Sequence, residues 1–155
     1  MFTSAKKTLK RKTDSAKMEN RKSIKELKKQ LWTIFSKYIR ARDGNICYTC
    51  GSQAHHAGHY VPQSKGNALK FEERNVHAQC ISCNSFKRGN LAPYALHLER
   101  DYGPGILQEF ERIKNTVYKP TREELSEKIE HYTAELNRLI RERIELVGEQ
   151  GSELF

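Results

Sequence analysis

Two Cys-x-x-Cys pairs, Cys47-Tyr48-Thr49-Cys50 and Cys80-Ile81-Ser82-Cys83, stand twenty-nine residues apart in this chain of 155. Each turn can offer both thiolates to one ion, so the spacing predicts a single tetrahedral zinc held by Cys47, Cys50, Cys80 and Cys83. Four sulfurs close the coordination sphere and leave no position for water. The zinc is therefore expected to be structural rather than catalytic. Such sites bind with roughly 10 to 16 kcal/mol, comparable with the stability of a whole domain, and the centre is expected to unfold without the metal. Two disulfides or a redox-active pair are the other readings of the same spacing. The start Met1-Phe2-Thr3-Ser4-Ala5-Lys6-Lys7 lacks the apolar stretch of a secretory signal, so a reducing cytosol is expected and argues against the first, and the lack of a strand-to-helix thioredoxin context argues against the second.

Between the pairs lie four of the six histidines, His55, His56, His59 and His77. A cluster of that density serves either packing or a second metal site. Gly58-His59-Tyr60-Val61-Pro62 reads as a strand, a polar loop runs from Gln63 to Asn67, and Arg74-Asn75-Val76-His77 leads into a second strand. Cys83 to Asn90 reads as a short helix with a glycine stop at Gly89. The order is a histidine on a strand, an asparagine before a second strand, and an asparagine on a helix.

The string from His59 through Asn75 to Cys80-x-x-Cys83-Asn84-x-x-Lys87 resembles the His-Asn-His (HNH) nuclease motif in its ββα-metal form, bracketed by zinc knuckles. More closely, Ala57-Gly58-His59-Tyr60, Leu69 through His77, Gln79-Cys80, Cys83-Asn84, Lys87, Gly89-Asn90-Leu91 and Pro93-Tyr94 are similar to the NinG (Rap) recombination protein family of lambdoid bacteriophages. The resemblance spans residues 30–115. It implies a phage recombination endonuclease acting on branched DNA, such as Holliday junctions, within the cytoplasm of the bacterial host. Under it His59 is the general base, Asn75 holds the loop and orients that base, and Asn84 ligates one divalent cation, Mg²⁺ or Mn²⁺. The chemistry is physically coherent: a neutral imidazole takes a proton from water near pH 7, and the ion stabilises charge gathering on the phosphate. HNH nucleases usually carry an acidic or histidine ligand immediately before the base, where this chain has Gly58. The nearest replacement is His56, with His55 behind it, and a histidine ligand tilts preference toward softer ions such as Mn²⁺. His77 is a ligand, a phosphate donor, a supporting residue behind the site or a satisfied strand residue.

A phosphodiester substrate needs cations around the base. Lys65, Lys70, Arg74, Lys87 and Arg88 lie in or beside the motif and are the expected DNA contacts. The chain as a whole carries 28 Lys+Arg against 19 Asp+Glu, a net +9, which favours a polyanionic partner. Residues 1–30 hold net +8, residues 31–118 net +4 and residues 119–155 net −3. Hydrophobic residues make up 37%, and no apolar run approaches the roughly 18 residues of a membrane span. No base-reading helix is evident, so any specificity is expected to be for DNA shape. Other classes remain in play: a non-catalytic zinc-containing DNA-binding accessory, a sequence-specific HNH endonuclease, and an adaptor working through its C-terminal helix.

The elements that must position these groups divide the chain into four stretches. Residues 1–22 form a basic arm too poor in large apolar side chains to offset its ordering entropy, and disorder is expected there. Residues 23–116 form the HNH-like zinc domain with flanking helices. Its first helix is marked by Ile24, Leu27, Leu31, Ile34, Phe35, Tyr38 and Ile39, and ends at Asp43-Gly44-Asn45. Two more helices are expected, one from Asn90 to Leu98 and one over Ile106 to Ile113. Residues 117–120 are a linker, and residues 121–155 a C-terminal helix opened by a Thr121 to Glu124 capping box. Its seam of Leu125, Ile129, Tyr132, Leu136 and Leu139 either folds back on its own chain or zips to a second copy as a homodimer. The expected fold class is α+β: a zinc-stapled ββα-metal core flanked by α-helices.

Overall fold

The computed structural model describes residues 22–152, with side chains as far as Val147. The basic arm, and with it the expectation of disorder there, lies outside the described residues apart from Lys22. Helix α1 spans Ile24–Arg42. Ser23 caps it: its hydroxyl accepts from the Glu26 amide at 3.2 Å while the Glu26 carboxylate accepts from the Ser23 amide at 2.7 Å. The helix ends at Asp43, after which Gly44 and Asn45 turn the chain through left-handed conformations. Asp43 then reaches across to accept from the Ala78 amide at 2.8 Å, which fixes the helix end to the sheet.

That sheet has two antiparallel strands, β1 (His56–His59) and β2 (Val76–Gln79). The register pairs His56 with Gln79, Ala57 with Ala78, Gly58 with His77 and His59 with Val76. Since alternate residues point to opposite faces, Ala57, His59 and Val76 face α1, while His56, Gly58, His77 and Gln79 face away. The connection between the strands carries two short 3-10 turns, Asn67–Leu69 and Glu73–Asn75. After β2 comes one π-helical turn, Ser82–Phe86, and then α2 (Leu91–Tyr102), α3 (Ile106–Lys114) and the long α4 (Arg122–Ser152).

Three cores hold these elements. The largest joins Leu27, Leu31, Phe35 and Ile39 of α1 to Leu125, Ile129 and Tyr132 of α4, with Val76 of the sheet completing it. Each fully buried Leu or Phe here contributes roughly 1.5 to 3 kcal/mol of hydrophobic stabilisation before ordering entropy is counted. Tyr38 and Tyr132 both donate to the Glu73 carboxylate, at 2.9 and 3.2 Å, and so tie both helices to the turn ahead of β2. Leu125, Ile129 and Tyr132 of the α4 seam thus pack against α1 of the same chain, with Leu136 and Leu139 partly buried beside them. The capping box that opens α4 is present in both directions, with the Glu124 amide donating to Thr121 and the Thr121 amide donating to Glu124.

A second core gathers Val61, Leu69, Tyr94, Leu98, Ile106 and Phe110 beneath the inter-strand loop. The third is small: Cys47, Cys80 and Cys83 with Ala54 and Ala78. No helix among the described residues is long and apolar enough to cross a membrane.

Two local expectations need correction. The first strand runs His56–His59 rather than 58–62, because the chain leaves the ladder at His59. Past that point the Asn75 side chain takes both backbone groups of Val61 in place of a strand partner, donating to its carbonyl at 3.1 Å and accepting from its amide at 2.8 Å. The helix expected over 83–90 is the single turn Ser82–Phe86. It stops where Arg88, Gly89 and Asn90 take positive φ values of 49°, 93° and 50°.

Candidate active site and metal centre

The four cysteine sulfurs lie within 4.8 Å of one another. A tetrahedral zinc with bonds of about 2.3 Å sets its sulfurs about 3.8 Å apart, and Cys50 and Cys80 stand at 3.7 Å. The first pair sits on the turn between α1 and β1 and the second follows the end of β2, so one ion here fastens the single end of the strand pair where His56 stands opposite Gln79. Hydrogen-bond donors surround the sulfurs as thiolates require. The Cys83 amide donates to Cys80 and the Asn90 carboxamide to Cys83, both at 3.4 Å, while Ser52 lies 3.1 Å from Cys50. The cluster can hold a metal such as zinc, and no disulfide joins these cysteines.

His59 closes β1 on the α1 side. Its ring stacks on the Trp32 indole, centroids 5.1 Å apart and planes at 21°. Nε2 lies 3.0 Å from the Lys70 carbonyl. A carbonyl can only accept, so Nε2 carries the proton and Nδ1 keeps its lone pair. Burial holds the pKa below the usual histidine value; the Lys70 charge acts in the same direction and the Lys70 carbonyl partly opposes both. The neutral tautomer that results is the one a general base requires.

Asn75 is fully buried and makes three hydrogen bonds through its side chain, two with Val61 and one donated to the Leu69 carbonyl at 3.1 Å. Its own carbonyl accepts from the Tyr60 amide at 2.9 Å. Its carboxamide thus joins Val61 to Leu69, the residue next to the Lys70 whose carbonyl orients His59.

Asn84 projects from the π-helical turn toward β1, its Nδ2 donating to His56 Nδ1 at 3.0 Å. A cleft of about 350 Å³ opens beside it, lined by His59, Asn84, Arg88 and Gly89 among others. His56, Asn84 and the outward face of Gly58 therefore meet next to the cavity that His59 enters from the other side. A residue larger than glycine has no room at position 58: an added Cβ would stand 2.0 Å from Gln79 Oε1 and 2.7 Å from Asn84 Oδ1.

The remaining expected residues divide. His77 is buried, with Nδ1 at 3.1 Å from the Tyr94 hydroxyl and Nε2 at 3.0 Å from that of Tyr102. Tyr94 in turn donates to the Gly58 carbonyl at 3.0 Å, so the chain of hydroxyls and imidazole braces β1 from behind. Burial, with the Arg42 charge adding to it, pushes the His77 pKa down to about 4. Lys65 and Lys87 are exposed, and Arg88 lines the cleft. Arg74 is different from what was expected: it is bound bidentately by Glu109 at 2.8 and 3.1 Å and by Glu72 at 2.8 Å, tying α3 to the loop rather than presenting a free phosphate contact.

Sequence reasoning missed two groups. The first is Lys25, Lys28, Lys29 and Trp32 of α1, which with the expected Lys70 line a groove of about 610 Å³. The alternation of lysines with an apolar stripe on α1 was the available signal. Gln79 is the second, with its amide oxygen buried and unpartnered among the described residues; nothing in a pattern of residue types marks it.

A family model described as Bacteriophage Lambda NinG protein matches residues 3–142. The protein named ninG of Escherichia phage lambda is 38% identical over 91 residues, covering 56% of this chain and 45% of that protein. Its namesake in Salmonella phage P22 is 39% identical over 87 residues, covering 54% and 43%. Escherichia phage 933W encodes another, 38% identical over 91 residues, with coverage of 56% and 45%. The aligned stretch thus spans a little under half the length of these curated relatives. No solved structure matches the chain.

Proposed function

The chain belongs to the NinG family of bacteriophage proteins, and from that membership and the cleft beside His59 we propose a metal-dependent DNA endonuclease of the HNH type. Its substrate is DNA, branched DNA by the resemblance already drawn, cut by hydrolysis of a phosphodiester. The observation that carries the reading is the locked tautomer of His59. A buried, neutral imidazole with Nε2–H held by the Lys70 carbonyl has Nδ1 free to accept a proton from water at neutral pH.

The other residues then have definite work. Asn75 fixes the loop that supplies the Lys70 carbonyl. Trp32 covers one face of the imidazole and keeps bulk water from it. The α1 lysines with Lys70 draw the DNA backbone along their groove, and Arg88 meets it at the cleft. His56 and Asn84, a nitrogen and a hard oxygen, suit a divalent ion such as Mn²⁺ or Mg²⁺. Bound there, such an ion would supply charge stabilisation to the phosphate and leaving oxygens. The zinc cluster holds strand and turn in register and takes no part in the reaction.

One observation favours a second reading. The position before the base is Gly58, where HNH nucleases place a ligand, and a chain that had lost its ligand would be a zinc-containing DNA-binding accessory. Incubating the purified, zinc-loaded protein with junction, flap and linear duplex DNA, with and without Mg²⁺ or Mn²⁺, tests the proposal. Ion-dependent cleavage supports the nuclease; binding of all three without cleavage at any ion supports the accessory.

A further inference from the structure

Gly58 is not an empty place in the fold. Its missing side chain is replaced from the neighbouring strand: Gln79 Oε1 lies 2.0 Å from where a Cβ would be, and Asn84 Oδ1 lies 2.7 Å from the same point. The Gln79 amide is held in one orientation, because Nε2 donates to the Gly89 carbonyl at 2.8 Å and to the Thr49 hydroxyl at 3.3 Å. Turning it over would aim an oxygen at a carbonyl. Oε1 is therefore obliged to face Gly58, where it is buried and has no hydrogen-bond partner among the described residues. Leaving a buried amide oxygen unpaired is unfavourable, and native proteins relieve it with water or an ion. Two oxygens that only accept, converging beside His56, which the sheet register pairs with Gln79, form an oxygen-rich cradle of the kind hard divalent cations select.

We propose that Gln79 is a ligand of the divalent ion, its carboxamide oxygen standing in for the side chain absent at Gly58, beside His56 and Asn84. The inference rests on the nuclease reading of the cleft. It explains why position 58 is glycine: the ligand arrives from β2, and any side chain at 58 would collide with it. It also predicts a relation between the two positions. Moving the ligand back to residue 58 requires shortening residue 79, and neither change succeeds alone.

The test uses the full zinc-loaded chain without DNA, with Mn²⁺ affinity measured by calorimetry and by the loss of the free Mn²⁺ electron paramagnetic signal. Near-ultraviolet circular dichroism and zinc content report the fold. Gln79→Ala is expected to weaken Mn²⁺ binding about tenfold or more, and Gly58→Asp alone to weaken it by steric clash. Gly58→Asp combined with Gln79→Ala is expected to bind Mn²⁺ more tightly than either single change, with Asn84 Oδ1, 2.7 Å from the added Cβ, giving way. A measurement without substitution runs beside these: on adding Mg²⁺, the side-chain carbonyl carbon resonance of Gln79 moves together with that of Asn84. If Gln79→Ala binds Mn²⁺ unchanged, or the Gln79 resonance stays still while that of Asn84 moves, the proposal is overturned and the nuclease reading survives. It is overturned in the same way if Asn84 turns its amide nitrogen to Gln79, which satisfies Oε1 without an ion and leaves its resonance insensitive to Mg²⁺. If the unaltered chain binds neither ion, and His56→Ala and Asn84→Ala change nothing, both this ligand and the metal-assisted reading fall together.

Discussion

His59 and Trp32 form a stacked pair between the end of β1 and the middle of α1, and the indole shields one face of the imidazole while Lys70 holds its far nitrogen. The long lever of α1, anchored by its core against α4, is what places that indole.

Removing the indole should therefore reach the chemistry without touching the cleft. Trp32→Ala is expected to lower cleavage by roughly tenfold or more through misplacement of the base, with Trp32→Phe keeping most of the activity. Burial depresses the His59 pKa, so exposing the ring should raise it and move the acid limb of the pH–rate profile to higher pH. A profile that keeps its acid limb in place would show that Trp32 only packs.

Asn75 carries the loop. Asn75→Ala leaves the Val61 amide, the Val61 carbonyl and the Leu69 carbonyl without their partner in a buried site, a loss of roughly 3 to 5 kcal/mol. Urea denaturation of the zinc-loaded protein measures it. Asn75→Asp keeps the acceptor for the Val61 amide but turns a carboxylate oxygen toward the Val61 and Leu69 carbonyls in a fully buried site, and should cost at least as much as Asn75→Ala.

The buried His77 makes stability depend on pH with a definite sign. Its folded pKa of about 4 lies below the unfolded value of about 6.5, so the unfolded chain takes the proton first. This contribution is whole above about pH 6.5 and is lost as pH falls from there toward about 4, amounting to about 3 kcal/mol at most. Comparing unfolding of the natural chain with His77→Gln across that window isolates the effect, since acid loss of zinc is common to both. Parallel stability curves would contradict it.

Chelation of a metal held by the four cysteines should divide the molecule. The core between α1 and α4 does not contain the cysteines, whereas Ala54 and Ala78 pack directly on them. Zinc removal is expected to abolish the near-ultraviolet signal of the tyrosines around His77 while most of the helical far-ultraviolet signal persists. Simultaneous loss of both signals would mean that the cores are one cooperative unit.

Much of this was legible in the sequence, for reasons that are local. The cysteine turns state their geometry by spacing, and α1 declares itself by its apolar stripe. Thr121 and Glu124 mark the start of α4 because a capping box is complete within four residues. What escaped depends on contacts between distant positions. Arg74 reads as a phosphate contact until Glu109, thirty-five residues later, takes both of its terminal guanidinium nitrogens. The strand reading ran on through Val61 because a β-branched residue in an extended stretch looks like a strand, while the group that ends the ladder is the side chain of Asn75. The seam of α4 suits a partner helix equally well in either chain, and only the packing of Leu125 and Ile129 onto α1 assigns it to its own. Gln79 was invisible because its significance lies in an unpaired oxygen, which no residue pattern expresses.

The central claim is that His59 Nδ1 takes the proton from the attacking water. Single-turnover cleavage of junction DNA by the natural chain and by His59→Ala, at equal DNA occupancy and saturating Mn²⁺, tests it most directly. DNA binding by His59→Ala is expected to stay within about twofold of the natural chain while cleavage falls by roughly 10² to 10⁴. Cleavage by His59→Ala at the natural rate would contradict it.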